Sequence, residues 1–175
     1  QESKGLDLDE LATHLAPVGL QRGPLKLLID IFEHAKTFGS LIQIPAALNG
    51  ELVGVKAGVQ QALRDGDLYS RQAATDLLPL VRQAFVLGMK FDAVVANPPY
   101  MGGRAMTPTL ATYARQCWSE SKHDLFSMFI DRATSYGKTY SHFGMVTMHS
   151  WMFLSSYEQL RSRVLRTTQL ESLIQ

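Results

Sequence analysis

Asn97-Pro98-Pro99-Tyr100, set at the end of the apolar run Phe91-Asp92-Ala93-Val94-Val95-Ala96, constrains this chain more than any other feature. The valine-rich run reads as a short buried strand, and the prolines stop it abruptly. Consecutive prolines fix their own φ and push the preceding residue out of helical space. The loop is therefore stiff, with carbonyls held in set directions. Proline nitrogens carry no hydrogen, so the stretch offers acceptors and almost no donors. Asn97 adds an amide oxygen, and Tyr100 adds a flat ring. Acceptors beside an aromatic plate suit a planar group bearing an exocyclic amino group, such as adenine.

The chemistry of such an amine explains why the acceptors matter. Its lone pair is delocalised into the ring, so it is a poor nucleophile. Accepting its two N–H hydrogens with Asn97 Oδ1 and the Pro98 carbonyl draws the nitrogen towards tetrahedral geometry and frees the lone pair. The methyl of S-adenosylmethionine sits on a sulfonium, so that cofactor supplies reactivity while the protein supplies alignment. Fixed acceptors also stabilise the positive charge developing on nitrogen, the converse of an oxyanion hole. No covalent cysteine is needed, and Cys117 reads as a small buried hydrophobe. The plain alternative is a strand-ending turn, where Asn and Pro are common. Placement and flanking residues weigh against it.

Asn97-Pro98-Pro99-Tyr100 resembles the catalytic motif of amino-group methyltransferases acting on adenine N6 in DNA. Phe91–Ala96 before it, Asp124-Leu125-Phe126 with Phe129-Ile130, Ser150-Trp151-Met152-Phe153-Leu154 and the helix carrying Leu160-Arg161 resemble the same family. Tyr100-Met101-Gly102-Gly103 and the stretch from Met148 to Tyr157 are similar to the adenine methyltransferases of BREX phage-exclusion systems. The resemblance covers about residues 91–175, and residues 1–90 resemble, less specifically, a helical segment preceding the motif. It implies an α/β fold: part of a Rossmann-like, S-adenosylmethionine-dependent sheet (91–175, incomplete) behind a helical segment (1–90).

By that resemblance Asn97 and Pro98 accept the amino group, and Tyr100 stacks on an extruded base. Flipping costs a few kcal/mol, of which stacking returns about 1–3 kcal/mol. Pro99, Gly102, Gly103 and Arg104 fall on the substrate side. Two readings stand for Gly102-Gly103-Arg104: a close backbone approach to phosphate with Arg104 touching it, or an ordinary flexible loop. Phe126 and Phe129 read as core packing ahead of cofactor contact. The implied partners are double-stranded DNA with a flipped adenine and other phage-defence components, in the cytoplasm and without a membrane.

The family's glycine-rich cofactor loop and ribose-binding acid are not found in residues 1–90. Gly50 to Gly58 reads as a glycine-scattered helix. Gln1-Glu2-Ser3 and the apolar stop at Leu170–Ile174 look like cuts, so the expectation is a fragment that alone neither binds the cofactor tightly nor methylates DNA. Two other classes stay open. One is an amino-group methyltransferase acting on protein glutamine or RNA, since an amide nitrogen is delocalised in the same way. The other is a non-catalytic methyltransferase-like module that binds DNA or a partner.

Composition narrows the setting. With 175 residues, 46% hydrophobic and 19% charged, the chain is ordinary globular protein rather than disordered. A net charge of +1 is low for a dedicated electrostatic nucleic-acid binder. One cysteine excludes an internal disulfide, and the five histidines lack metal-ligand spacing, so no metal is assigned.

Periodicity predicts a helix after Pro24 through Leu25, Leu28, Ile29 and Phe32, closed by Gly39, then an ambiguous extended stretch over Thr37–Ile44. It predicts further helices over Val53–Leu63 and from Arg71 to Gly88, the last kinked or divided at Pro79. Ser121 with Asp124 reads as a capping box opening a helix that buries Leu125, Phe126, Phe129, Ile130 and Ala133. Gly144–Met148 reads as a strand, Ser155 with Glu158 as a helix start through Leu160 and Val164, and Leu170–Ile174 as a third strand. Arg161, Arg163 and Arg166 read as a solvated helix face, with DNA phosphate contact the lesser alternative.

Overall fold

Leucines and alanines at helical spacing dominate residues Gln1–Met89, the first of two compact units; the second is Lys90–Gln175. The computed structural model describes residues 2–174. The first unit is helical throughout: α1 (Leu8–Leu15), α2 (Arg22–Phe32), α3 (Ala35–Phe38), α4 (Ala46–Asp65) and α5 (Leu68–Gly88). Asp7 caps α1 by accepting from the Asp9 and Glu10 amides at 2.7 and 3.1 Å, which satisfies donors left free in the first turn. Its core is a stripe from each helix, including Leu15, Leu28 and Phe32, Leu48, Leu52 and Val59, and Leu77, Leu80 and Ala84.

Several expected boundaries move. The helix after Pro24 ends at Phe32, because His34 leaves helical geometry at φ −117°, ψ 34°; Gly39, at φ 53°, closes the separate short α3. Thr37–Ile44 is not a strand. It holds the end of α3 and a 3-10 turn over Gly39–Leu41, which buries Leu41. α4 starts earlier than Val53, directly after Pro45, and so adds Leu48 to the buried stripe. α5 is not divided at Pro79. One lost backbone bond and a ring clash cost about 3 kcal/mol, whereas burying Leu77, Leu80 and Val81 returns roughly 1.5–3 kcal/mol each.

The second unit mixes strand and helix: β1 (Phe91–Ala96), α6 (Pro108–Cys117), α7 (Leu125–Tyr136), β2 (Gly137–Met145) and α8 (Glu158–Thr167). β1 and β2 form a two-stranded parallel sheet. Parallel neighbours require a crossover, which the segment containing α6 and α7 supplies. β1 therefore forms over the expected residues, in an α/β setting. It is not buried, however: Val95 is 85% exposed, and β1 pairs along one edge only among the described residues. Valines on both faces are the pattern of a parallel strand covered on both sides.

β2 begins at Gly137 rather than Gly144. Between the pairs Phe91↔Gly137 and Ala93↔His142, β2 advances five residues against two of β1, so the strand bulges. Tyr140 sits in that bulge at φ 63°. The polar residues of the bulge hid the strand's first half from a pattern based on apolar runs. α6 was not anticipated, although Thr107 caps it through the Leu110 amide and Pro108 takes its first position. Leu170–Ile174 forms no third strand among the described residues. Cys117 is exposed at the end of α6 rather than buried. Its sulfur is still partly desolvated, which pushes the thiol up from its ordinary range.

α7 buries Leu125, Phe126, Ile130 and Ala133, with Phe129 only partly covered. Its cap is Asp124, not Ser121. The Ser121 hydroxyl instead donates to Asp131 Oδ2 at 3.0 Å inside the fold. A 3-10 turn over Ser155–Tyr157 precedes α8, which sets Leu160 and Val164 against Phe126, Ile130 and Tyr157. Arg161 and Arg163 are structural rather than solvated. Arg161 donates to the Trp151 and Leu154 carbonyls at 2.8 Å each, while Arg163 pairs with Glu120 at 3.0 Å and Asp131 at 2.7 Å. Hydrogen bonding to Asp131 raises the Arg163 pKa further. Among the described residues, no helix is long and apolar enough to cross a membrane.

Candidate active site

The acceptor-rich loop leaves the carboxyl end of β1, where ligands gather in parallel α/β sheets. Asn97 is exposed, Pro98 is buried, and Pro99 and Tyr100 are exposed. Among the described residues, no group donates to the Asn97 side chain or to the Pro98 carbonyl. These oxygens are thus not spent within the fold. Prolines at both following positions remove the amides that a turn would ordinarily use to satisfy them.

The loop is pinned at both ends. At its start, the Val146 amide donates to the Ala96 carbonyl at 3.1 Å, extending the β1–β2 pairing by one bond. At its end, the Tyr100 hydroxyl donates to the Val146 carbonyl at 3.3 Å. One residue beyond β2 thereby holds both sides of the motif. The Tyr100 ring stands edge-on to Phe126, with centroids 6.1 Å apart at 78°. Half of Tyr100 still faces solvent, so a face remains open to a planar ligand.

Past Tyr100 the backbone runs against the start of α7. The Met101 amide donates to Asp124 Oδ1 at 2.9 Å, and the Leu125 amide donates to the Met101 carbonyl at 3.1 Å. Gly102 and Asp124 form an antiparallel bridge, and the Gly103 amide donates to the His123 carbonyl at 2.9 Å. The Ala105 amide closes a turn onto the Gly102 carbonyl at 2.8 Å. Gly102-Gly103-Arg104 is therefore a tied loop, with the Arg104 side chain exposed.

Behind the loop lies an aromatic floor. Phe126 meets Tyr157 at 6.0 Å, and His123 meets Tyr157 edge-on at 5.7 Å. Burial pushes the Tyr157 phenol up; a Ser127 hydrogen bond opposes this, and the Asp124 charge adds to it. Phe126, 1% exposed, is core rather than a surface awaiting a cofactor ring. The motif names the oxygens and the ring, but marks Asp124 only as a helix start and gives no sign of Val146. The Asp124 contact spans 23 residues and the Tyr100 contact spans 46, so no local pattern reports either.

The Eco57I restriction-modification methylase family matches residues 25–175, a stretch that contains the whole motif and everything packed beneath it. The chain is 44% identical over 137 residues to the adenine-specific methyltransferase BrxX of Escherichia coli O9:H4 (strain HS), covering 78% of this chain and 11% of that protein. It is 31% identical over 167 residues to the adenine-specific methyltransferase PglX of Lacticaseibacillus casei (strain Zhang), covering 93% of this chain and 14% of that protein. This chain thus spans a small part of the length of both relatives. On the extent of the family match and the identity to both relatives, the chain belongs to the Eco57I restriction-modification methylase family.

Proposed function

We propose that this chain carries the amine-activating part of an enzyme that transfers a methyl group from S-adenosylmethionine to N6 of adenine in duplex DNA. The observation that carries this reading is the acceptor pair at the end of β1, an exposed Asn97 amide and the carbonyl of the buried Pro98, neither spent within the described fold, beside a half-exposed tyrosine ring. The printed names of both relatives specify adenine. Asn97 Oδ1 and the Pro98 carbonyl accept the two amino hydrogens. Tyr100 stacks on the base once it leaves the duplex. Pro99 keeps the acceptors rigid, and Gly102, Gly103 and Arg104 lie along the path of the strand, with Arg104 able to meet a phosphate.

The cofactor, when bound, supplies an electrophilic sulfonium methyl. The described residues do not fit a complete cradle for it. Gly50, Gly54 and Gly58 lie inside α4, and no glycine-rich loop follows a strand in residues 2–90. The chain's own contribution is to hold the amine and orient its lone pair, an alignment effect that can supply a large share of a barrier reduction. We further propose that β1 and β2, connected through α7, belong to a wider Rossmann-like sheet, with residues 91–175 as the catalytic part and 1–90 as a helical lead-in. The same reading places the enzyme in the cytoplasm, in restriction-modification or phage exclusion alongside other defence components.

The test is product identification. The full-length protein is incubated with methyl-labelled S-adenosylmethionine and duplex DNA, and the nucleosides are separated. Label recovered as N6-methyladenine supports the proposal. Label confined to RNA or protein, or none transferred, contradicts it.

A further inference from the structure

Asp124 is nine-tenths buried and makes one oxygen serve two amides. Its Oδ1 accepts from Phe126 N at 3.2 Å, the capping bond of α7, and from Met101 N at 2.9 Å, the first peptide after the motif. Capping alone needs only the first bond. The second reaches across to a different part of the chain and is reinforced on both sides. The Leu125 amide returns a bond to the Met101 carbonyl, and Gly103 is tied to His123. A Cβ placed on Gly102 would lie in ordinary van der Waals contact with Asp124 Oδ2, at 3.6 Å.

The consequence falls on Tyr100. Its backbone precedes the Met101 amide held by Asp124, and its ring stands against Phe126, whose amide the same oxygen holds. From Tyr100 the tether continues through its hydroxyl to Val146 and on to Ala96, the residue before the motif. We infer that Asp124 is a positioning residue for the Asn97–Tyr100 motif, setting the stacking plane and the acceptor oxygens relative to each other. This rests on the proposed methyl transfer. It adds that the carboxylate acts on the motif through the Met101 amide rather than only by ending a helix. Because a misplacement of about 1 Å can cost around a hundredfold in rate, the tether influences turnover more than binding.

Serine separates the two roles. It caps helices as well as aspartate does, but its oxygen sits one bond nearer the backbone and does not reach both amides. Asparagine keeps an acceptor at the Oδ1 position. The experiment measures kcat and KM for duplex DNA, with thermal unfolding in parallel, for full-length wild type, Asp124→Asn, Asp124→Ser and Asp124→Ala. The expected result is an Asp124→Ser protein with near wild-type unfolding temperature and KM but kcat lower by about 10- to 100-fold. Asp124→Asn should retain most of kcat. Asp124→Ser at the wild-type rate overturns the inference. So does an inactive Asp124→Asn, or an Asp124→Ser protein as thermally weakened as Asp124→Ala. Wild type that methylates no adenine removes the proposed function and this inference together.

Discussion

Tyr100 carries two different duties on one side chain, and they separate by substitution. Its hydroxyl holds Val146, while its ring offers a half-exposed face. A neutral hydrogen bond contributes about 0.5–1.5 kcal/mol, whereas base stacking contributes about 1–3 kcal/mol. Tyr100→Phe should therefore slow methyl transfer by about 2- to 10-fold and leave DNA affinity near wild type. Tyr100→Ala should also weaken binding to DNA containing the target site, by roughly 5- to 150-fold. Rate and affinity measured on both variants check this; equal affinity in both would remove the stacking role. The sequence alone announced this ring and the acceptor oxygens because stiff proline geometry is local. It did not announce what fixes them. Val146, Asp124 and Phe126 act through distant contacts, and the Asp124 side chain looks like any helix cap until Met101 is seen against it.

At the scale of elements, periodicity located helices better than it located their ends. α4 and α7 follow the apolar spacing, yet α4 reaches back to Pro45 and α7 waits for Asp124, because capping and chain reversal set the limits. β2 was legible only in its last residues, since its first half is a polar bulge around Tyr140. The buried reading of β1 failed because apolar spacing reports which faces a strand can bury, not how much cover the described residues give it. α4 offers a test of its own packing. A Cβ on Gly58 would lie 2.7 Å from Leu20 Cδ2 and 2.8 Å from its Cγ, whereas one on Gly54 meets nothing within 4 Å. Alanine in a helix interior gains about 0.5–1 kcal/mol over glycine, but overpacking costs about 1–3 kcal/mol. Gly54→Ala should raise the urea midpoint of unfolding and Gly58→Ala should lower it. Two upward shifts would contradict the close contact with Leu20.

For the molecule as a whole, near-neutral charge and the lack of a complete cofactor cradle among the described residues bear on the same expectation. A net charge of +1 supplies little phosphate attraction, and the glycines of α4 are committed to a helix. The 175-residue chain on its own should show no micromolar S-adenosylmethionine affinity by titration calorimetry. A dissociation constant in that range would mean that residues packed within the fold hold the cofactor. The central claim concerns Asn97, and one variant of the full-length protein tests it most directly. Asn97 is exposed, and surface substitutions typically change stability by no more than about 0.5 kcal/mol. Removing a preorganised polar group at a centre of developing charge typically costs about 100- to 1,000-fold in kcat. Single-turnover methyl transfer to duplex DNA should therefore fall by at least about that factor in Asn97→Ala, with the unfolding temperature unchanged. Transfer at the wild-type rate would contradict the account.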